Sequence, residues 1–145
     1  MATDIGQSFL PTFRGRPPHM SAQDFNIWQR WIPFHFQDFT NFYFDAAVGD
    51  GAIPPPGGTD KMRAAWTRIT QKRIDAIGIR KDAAWILEVR ASAGSSALGA
   101  LLTYDYLLKL NNPFSLPIRL ALITDHSDDD FRKVLRAYNV QIFEV

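Results

Sequence analysis

The chain reads as a mixed α/β domain, one sheet covered on its faces by helices. Three observations predict this. Strand-like runs alternate with helical ones from residue 60 onward, the order being helix, hairpin, helix, strand, helix, strand. At 145 residues with 46% apolar content, the chain can bury one continuous core without staples. Finally, two of the strand runs, residues 73–79 and 84–90, lie close enough in sequence to form a hairpin.

Composition narrows the classes further. With no cysteine, disulfides and thiolate metal sites are excluded. No apolar run is long enough for a membrane span, and residues 1–10 lack the basic and apolar parts of a signal peptide. A formal charge of +1 gives little overall attraction to nucleic acid, so any such binding must rest on a local patch. A soluble, intracellular, near-neutral protein is expected.

The chain divides into three stretches. Residues 1–21 hold Pro11, Pro17, Pro18, Gly15, Arg14 and Arg16 with no periodicity, which predicts an extended arm. Either it is a free tail, or it is held by its own domain or a neighbouring subunit. Residues 22–59 form an aromatic helical segment followed by a Pro/Gly loop. Residues 21–48 read as helix, with Ser21 or Asp24 as N-cap, Gly49 as stop, and a kink or break at Pro33. Phe25, Trp28, Ile32, Phe39 and Tyr43 follow one helical stripe, whereas Trp31, Phe34, Phe36, Phe42 and Phe44 fall outside it. Aromatics all round a helix predict burial on several sides, either in a core or against another subunit. Arg14, Arg16, Trp28, Trp31, Phe34 and Phe42 are the candidate intersubunit contacts.

Residues 60–145 carry the α/β core. Residues 50–59 are a loop and 60–72 a short helix with Met62, Ala65, Trp66 and Ile69 at three- and four-residue spacings. The hairpin 73–79/84–90 follows. A helix at 94–110 is stopped by Asn111, Asn112 and Pro113; then come a strand at 118–123, a helix at 127–138 and a strand at 140–145.

The hairpin carries the chemistry. A turn centred on Lys81 and Asp82 sets Asp75 opposite Glu88, Ile77 opposite Ile86 and Arg73 opposite Arg90. Opposed Cβ atoms lie about 4.5–5.5 Å apart, close enough for both carboxylates to bind one hard cation such as magnesium. One reading is a metal site for phosphodiester hydrolysis. The other is a self-neutralising quartet, in which Arg73 and Arg90 lie diagonally across from Glu88 and Asp75.

Elsewhere, His19, His35 and His126 show no metal-ligand spacing. Asp125, His126 and Ser127 imitate a triad only in print; Asp125 and Ser127 look like N-caps, and Asp128 to Asp130 suit the positive end of the following helix. Tyr104, Asp105 and Lys109 are expected on a solvated helix edge. Arg63, Arg68, Lys72, Arg73 and Arg80 form a modest basic cluster, either a solvated helix face or a phosphate-backbone contact.

Arg73-Ile74-Asp75-Ala76-Ile77-Gly78, Trp85-Ile86-Leu87-Glu88-Val89-Arg90 and the helix Gly99-Ala100-Leu101-Leu102-Thr103-Tyr104 together resemble the PD-(D/E)XK nuclease superfamily. The resemblance covers about residues 60–145 and implies a restriction-endonuclease-like core. It implies Asp75 and Glu88 as catalytic acids and magnesium ligands. Two positions depart from that pattern. Arg90 stands where the family has a lysine, and a guanidinium stays protonated. Ala100 stands where many members carry a helix glutamine. These departures imply a vestigial site of Asp75, Glu88 and Arg90 with no cofactor, or else magnesium if hydrolysis persists.

Arg16-Pro17-Pro18-His19-Met20, Asp24, Ile27-Trp28, Phe42-Tyr43-Phe44-Asp45 and Val48-Gly49 are similar to small tailed-bacteriophage neck, or head–tail connector, proteins sharing this core. That likeness implies a non-catalytic virion structural protein assembled in the host cytoplasm. It would form a homo-oligomeric ring beside other neck, portal or tail proteins, with DNA passing nearby and no membrane. The alternatives are a magnesium-dependent deoxyribonuclease and a nucleic-acid-binding module without chemistry.

Overall fold

The computed structural model describes residues 3–145. Helix α1 spans Ala22–His35, opened by Ser21, whose hydroxyl accepts from the Asp24 amide, so Ser21 rather than Asp24 is the cap. Pro33 lies in its last turn, where it removes the bond to the Gln29 carbonyl, and the chain leaves through a 3-10 turn at Phe36–Asp38. From there the structure departs from the expected long helix. Asn41–Val48 is a strand, β2, whose Phe42 and Phe44 are buried while Tyr43 and Asp45 are only partly so. The physical reason is the change of period. Helical spacing of Phe39 and Tyr43 coincides with an alternation that starts at Asn41, and pairing with a neighbouring strand decides in favour of the alternation.

The other elements follow the expected order. A two-residue strand β1, Ser8–Phe9, precedes α1. After β2 come α2 (Asp60–Thr70), β3 (Lys72–Ile79), β4 (Ala84–Ser92), α3 (Ser95–Leu110), β5 (Ile118–His126), α4 (Asp129–Ala137) and β6 (Val140–Glu144). Asp128 caps α4 by accepting from the Phe131 amide, the role expected of Asp125 or Ser127. The sheet runs β1-β2-β3-β4-β5-β6, antiparallel through β4 and parallel thereafter. No helix among the described residues is long and apolar enough to cross a membrane.

The arm belongs to its own sheet. Ser8 and Phe9 pair with Tyr43 and Phe42, and Asp4 bridges Ala47. Met1 and Ala2 lie outside the described residues. Phe9 and Phe13 pack with Phe44, at ring separations of 4.9 to 6.4 Å.

Helices cover both faces of the sheet. On one, α1 sets Ile27, Trp28, Trp31 and Ile32 against Phe42, Phe44, Ala76, Leu87, Val89, Ala121 and Ile123. On the other, Ala97, Leu101 and Leu108 of α3 and Leu135 of α4 meet Ile77, Ile86, Leu120 and Leu122. Trp28, Trp31 and Phe42 are thus buried in this chain's own core, which removes them as surface contacts, while Phe34 is 84% exposed. Arg14 stacks over Phe36 and donates to the Pro11 and Phe13 carbonyls, and Arg16 donates to the Met20 carbonyl at 2.6 Å; both brace the arm on itself.

Gly78 faces Phe42 across the β2–β3 ladder. A Cβ there would lie 2.6 Å from Phe39 Cδ1 and 2.9 Å from Phe42 Cε1. Both rings are buried, so neither can yield freely. Gly78→Ala is expected to cost about 1–3 kcal/mol, seen as a lowered melting temperature; an unchanged melting temperature would refute the close packing.

Candidate functional site: an acidic pair on an interrupted hairpin

The hairpin has the predicted register. Ala76 pairs with Leu87, Ile77 with Ile86, Gly78 with Trp85 and Ile79 with Ala84. The ladder then stops one step short of Asp75 and Glu88. Its continuation is replaced by a side chain, the Asp75 Oδ2 accepting the Val89 amide at 2.9 Å.

The cause lies on the neighbouring strand. Asp45 of β2 holds a left-handed backbone, φ +56°, and the β2–β3 ladder skips the opposed pair Asp45 and Asp75. Before that pair, Phe42, Phe44 and Ala76 face α1; beyond it, Ala46, Val48 and Ile74 face α3. Both strands therefore invert their facing across the two aspartates. Aspartate is one of the few residues that tolerates this conformation.

Glu88 is 2% exposed, and its carboxyl is hydrogen-bonded to that of Asp75. Burial, then the Asp75 hydrogen bond and charge, push Glu88 from 4.5 up to about 9, against the opposing pull of Arg90. The pair therefore holds a proton at neutral pH. Arg90 bridges Glu88 Oε2 at 3.1 Å and the Ser96 hydroxyl at 2.8 Å.

The expected quartet does not form. Arg73 pairs with Ala47 of β2, and the β3–β4 ladder ends at Ala76, so it does not pair with Arg90. Its guanidinium lies 3.6 Å from Asp45 Oδ2 and donates to the Arg68 carbonyl. Two further acids join the neighbourhood instead. Asp24 of α1 is raised mainly by burial and in part by Asp75, and Asp45 lines a small cleft with Asp75, Pro18, His19 and Met20. His19 Nε2 lies 3.7 Å from Asp45, and Arg73 and Arg90 face Asp45 and Glu88 respectively. The site is acid-rich rather than self-neutralised, and a bound proton makes up part of the balance.

Tyr104 was expected on a solvated edge, but it is half-buried beside this site. Burial first, then Glu88 and Asp75, push its phenol up to about 12, so it stays neutral. Asp105 and Lys109 pair with each other at 3.0 Å. The basic cluster is divided. Arg63 donates to the Gly57 carbonyl, Arg73 turns to Asp45, and Arg80 lies over the rings of Phe39 and Trp85, 5.7 Å from each. His35 stacks on Trp31 at 4.8 Å. Asp125 pairs with Arg30, while the Ser127 hydroxyl accepts from Arg132, so no triad exists there.

Asp75, Glu88 and Arg90 were legible in the sequence. Ser96 and Tyr104 were missed as neighbours of these residues, and Asp24 and Asp45 were quoted only as a cap candidate and within the neck-protein likeness. Only the strand inversion and the packing of α1 and α3 bring them together.

A magnesium ion takes one or two carboxylates plus waters, so the donors Asp75 and Glu88 are right in kind. In this structure the Arg90 guanidinium lies against the Glu88 carboxylate, where an ion held by both acids would meet it, and no group of three acidic, histidine or cysteine ligands that could hold an ion occurs among the described residues.

Both acids lie on an antiparallel hairpin that a helix and parallel strands follow, within one mixed α/β sheet. No family model matches this chain, and neither does any curated protein. Among solved structures it is similar to a repair endonuclease from Pyrococcus abyssi, at 14% sequence identity and a TM-score of 0.49. The match covers 90% of this chain and 49% of that one, so the chain spans about half that protein's length.

Proposed function

We propose that this chain is a non-hydrolytic structural protein of a tailed-bacteriophage virion, a subunit of a neck (head–tail connector) ring built on a nuclease-like core. One observation carries the non-hydrolytic part. Arg90, in the place of the family's lysine, is tied between Glu88 and Ser96. A guanidinium does not serve as a proton-transfer group, so Arg90 can neither activate water nor supply a proton as a lysine there might. The arm adds to this, since Pro18, His19 and Met20 line the cleft over Asp75. The virion placement rests on the likeness of Arg16-Pro17-Pro18-His19-Met20 and Phe42-Tyr43-Phe44-Asp45 to small phage neck proteins. Its partners would be further copies of itself and neighbouring neck, portal or tail proteins, in particles assembled in the host cytoplasm.

A second reading is favoured by the acid excess. In it the chain is a magnesium-dependent deoxyribonuclease with Asp75 and Glu88 as ligands and Arg90 as a phosphate clamp. Incubating supercoiled plasmid with the protein and magnesium or manganese separates the two. The expected result is intact plasmid for wild type. Cleavage that disappears in both Asp75→Ala and Glu88→Ala would install the nuclease instead. Retardation of DNA without cleavage, weakening steeply with salt, would indicate a binding module.

A further inference from the structure

Arg90 reaches the acid pair from the α3 side of the sheet. Along β4, Leu87 and Val89 pack toward α1, so Glu88 and Arg90 share the opposite face with Ile86. Asp75 is hydrogen-bonded to the Glu88 carboxyl and accepts the Val89 amide through Oδ2. The guanidinium then closes the pair off. Its Nη2 donates to Glu88 Oε2 at 3.1 Å, and its Nη1 donates to the Ser96 hydroxyl at 2.8 Å, in the first turn of α3. One planar group with two fixed arms thus spans from the acid to the helix. A single ammonium does not reproduce that grip.

Both approaches to the acids are narrow. The Glu88 side chain is 3% exposed and that of Arg90 35%, so of the two it is the arginine that meets water. On the arm side, Pro18, His19 and Met20 close over Asp45 and Asp75 and leave a cleft of about 20 Å³. A water needs roughly 10–15 Å³, and magnesium keeps several waters when carboxylates bind it. That cleft admits about one water and no hydrated ion.

We infer that Arg90 is the resident cation of this site. Its guanidinium takes the position from which a divalent ion would bridge Asp75 and Glu88, and so bars that ion from the folded chain. Two positive charges a few ångströms apart in a buried setting repel far more than they would in water. The inference deepens the non-hydrolytic reading and rests on it. To an arginine unable to transfer protons it adds a charge that excludes the metal.

Isothermal titration calorimetry with manganese(II), a cation suited to carboxylates, tests it on the full chain. Wild type is expected to bind weakly. Arg90→Gln keeps a polar side chain and removes the charge. It should bind one manganese at least about tenfold tighter, and manganese should raise its melting temperature while leaving that of wild type unchanged. Adding Glu88→Gln should abolish the gain and so place the ion at the acid pair. Arg90→Lys keeps the charge but not the two arms; it should also bind tighter than wild type, and it decides the matter if Arg90→Gln fails to fold. Equal affinity in wild type and the folded Arg90 variants overturns the inference, whether all bind or none does. Tighter binding that survives the added Glu88→Gln overturns it too. Either result with plasmid left intact leaves the non-hydrolytic reading standing, whereas manganese-dependent cleavage by wild type overturns both.

Discussion

Glu88→Gln is expected to abolish most of the pH dependence of stability between about pH 5 and pH 9. Burial and the Asp75 carboxyl lift Glu88 from 4.5 to about 9. Across that interval the folded chain keeps a proton that the unfolded chain has released, so stability falls as pH rises. The contribution is fully present below about 4.5 and is lost as pH climbs through about 9. For wild type the loss is on the order of 3–5 kcal/mol, or roughly 10 °C in melting temperature. Glutamine keeps the size, remains neutral and can still donate to Asp75. Its melting curve should be nearly flat over the same range and lie above that of wild type at the alkaline end. Parallel curves for the two proteins would show that Glu88 is not the proton holder. Added magnesium that raises the alkaline melting temperature of wild type, but not of Glu88→Gln, would indicate that a cation can replace the proton.

Trp31→Ala should be the most damaging single truncation in the aromatic core. Trp31 is fully buried, and its ring lies 5.1 Å from Trp28, 5.4 Å from Phe143 of β6 and 5.9 Å from Phe39. It therefore ties α1 to the far edge of the sheet and to the chain entering β2. Losing it should cost about 3–5 kcal/mol, a large share of a typical domain's stability. Phe34, three residues on and 84% exposed, is the control. Phe34→Ala should change stability by less than about 0.5 kcal/mol. Urea denaturation of both variants checks the contrast. Equal midpoints would contradict the packing of α1 on the sheet.

Much of the fold was readable residue by residue, and the failures have physical causes. The hairpin register was legible because Ile77, Ile79, Ile86 and Glu88 alternate around a short polar turn. Residues 41–48 were misread because Phe39 and Tyr43 are four apart, a helical spacing, while the partners that make this stretch a strand lie 24 to 38 residues away in β3 and in the arm. Arg73 was assigned to Glu88 on the assumption that the ladder continues past Ala76. It does not, because Asp45 and Asp75 interrupt it from the other strand.

Sequence by itself determined the element order from residue 60, a cap at Ser21 or Asp24, and the placing of two acids and an arginine on one hairpin. These follow from short-range rules: alternation, capping and the spacing of opposed residues. Only the tertiary structure decided that Glu88 is sealed from water against Asp75 and Arg90, that Tyr104 is half-buried beside it, and that Asp45 shares a cleft with Asp75. Desolvation depends on every atom packed around a group, and those atoms come from α1, β2 and α3, which the chain brings together only on folding.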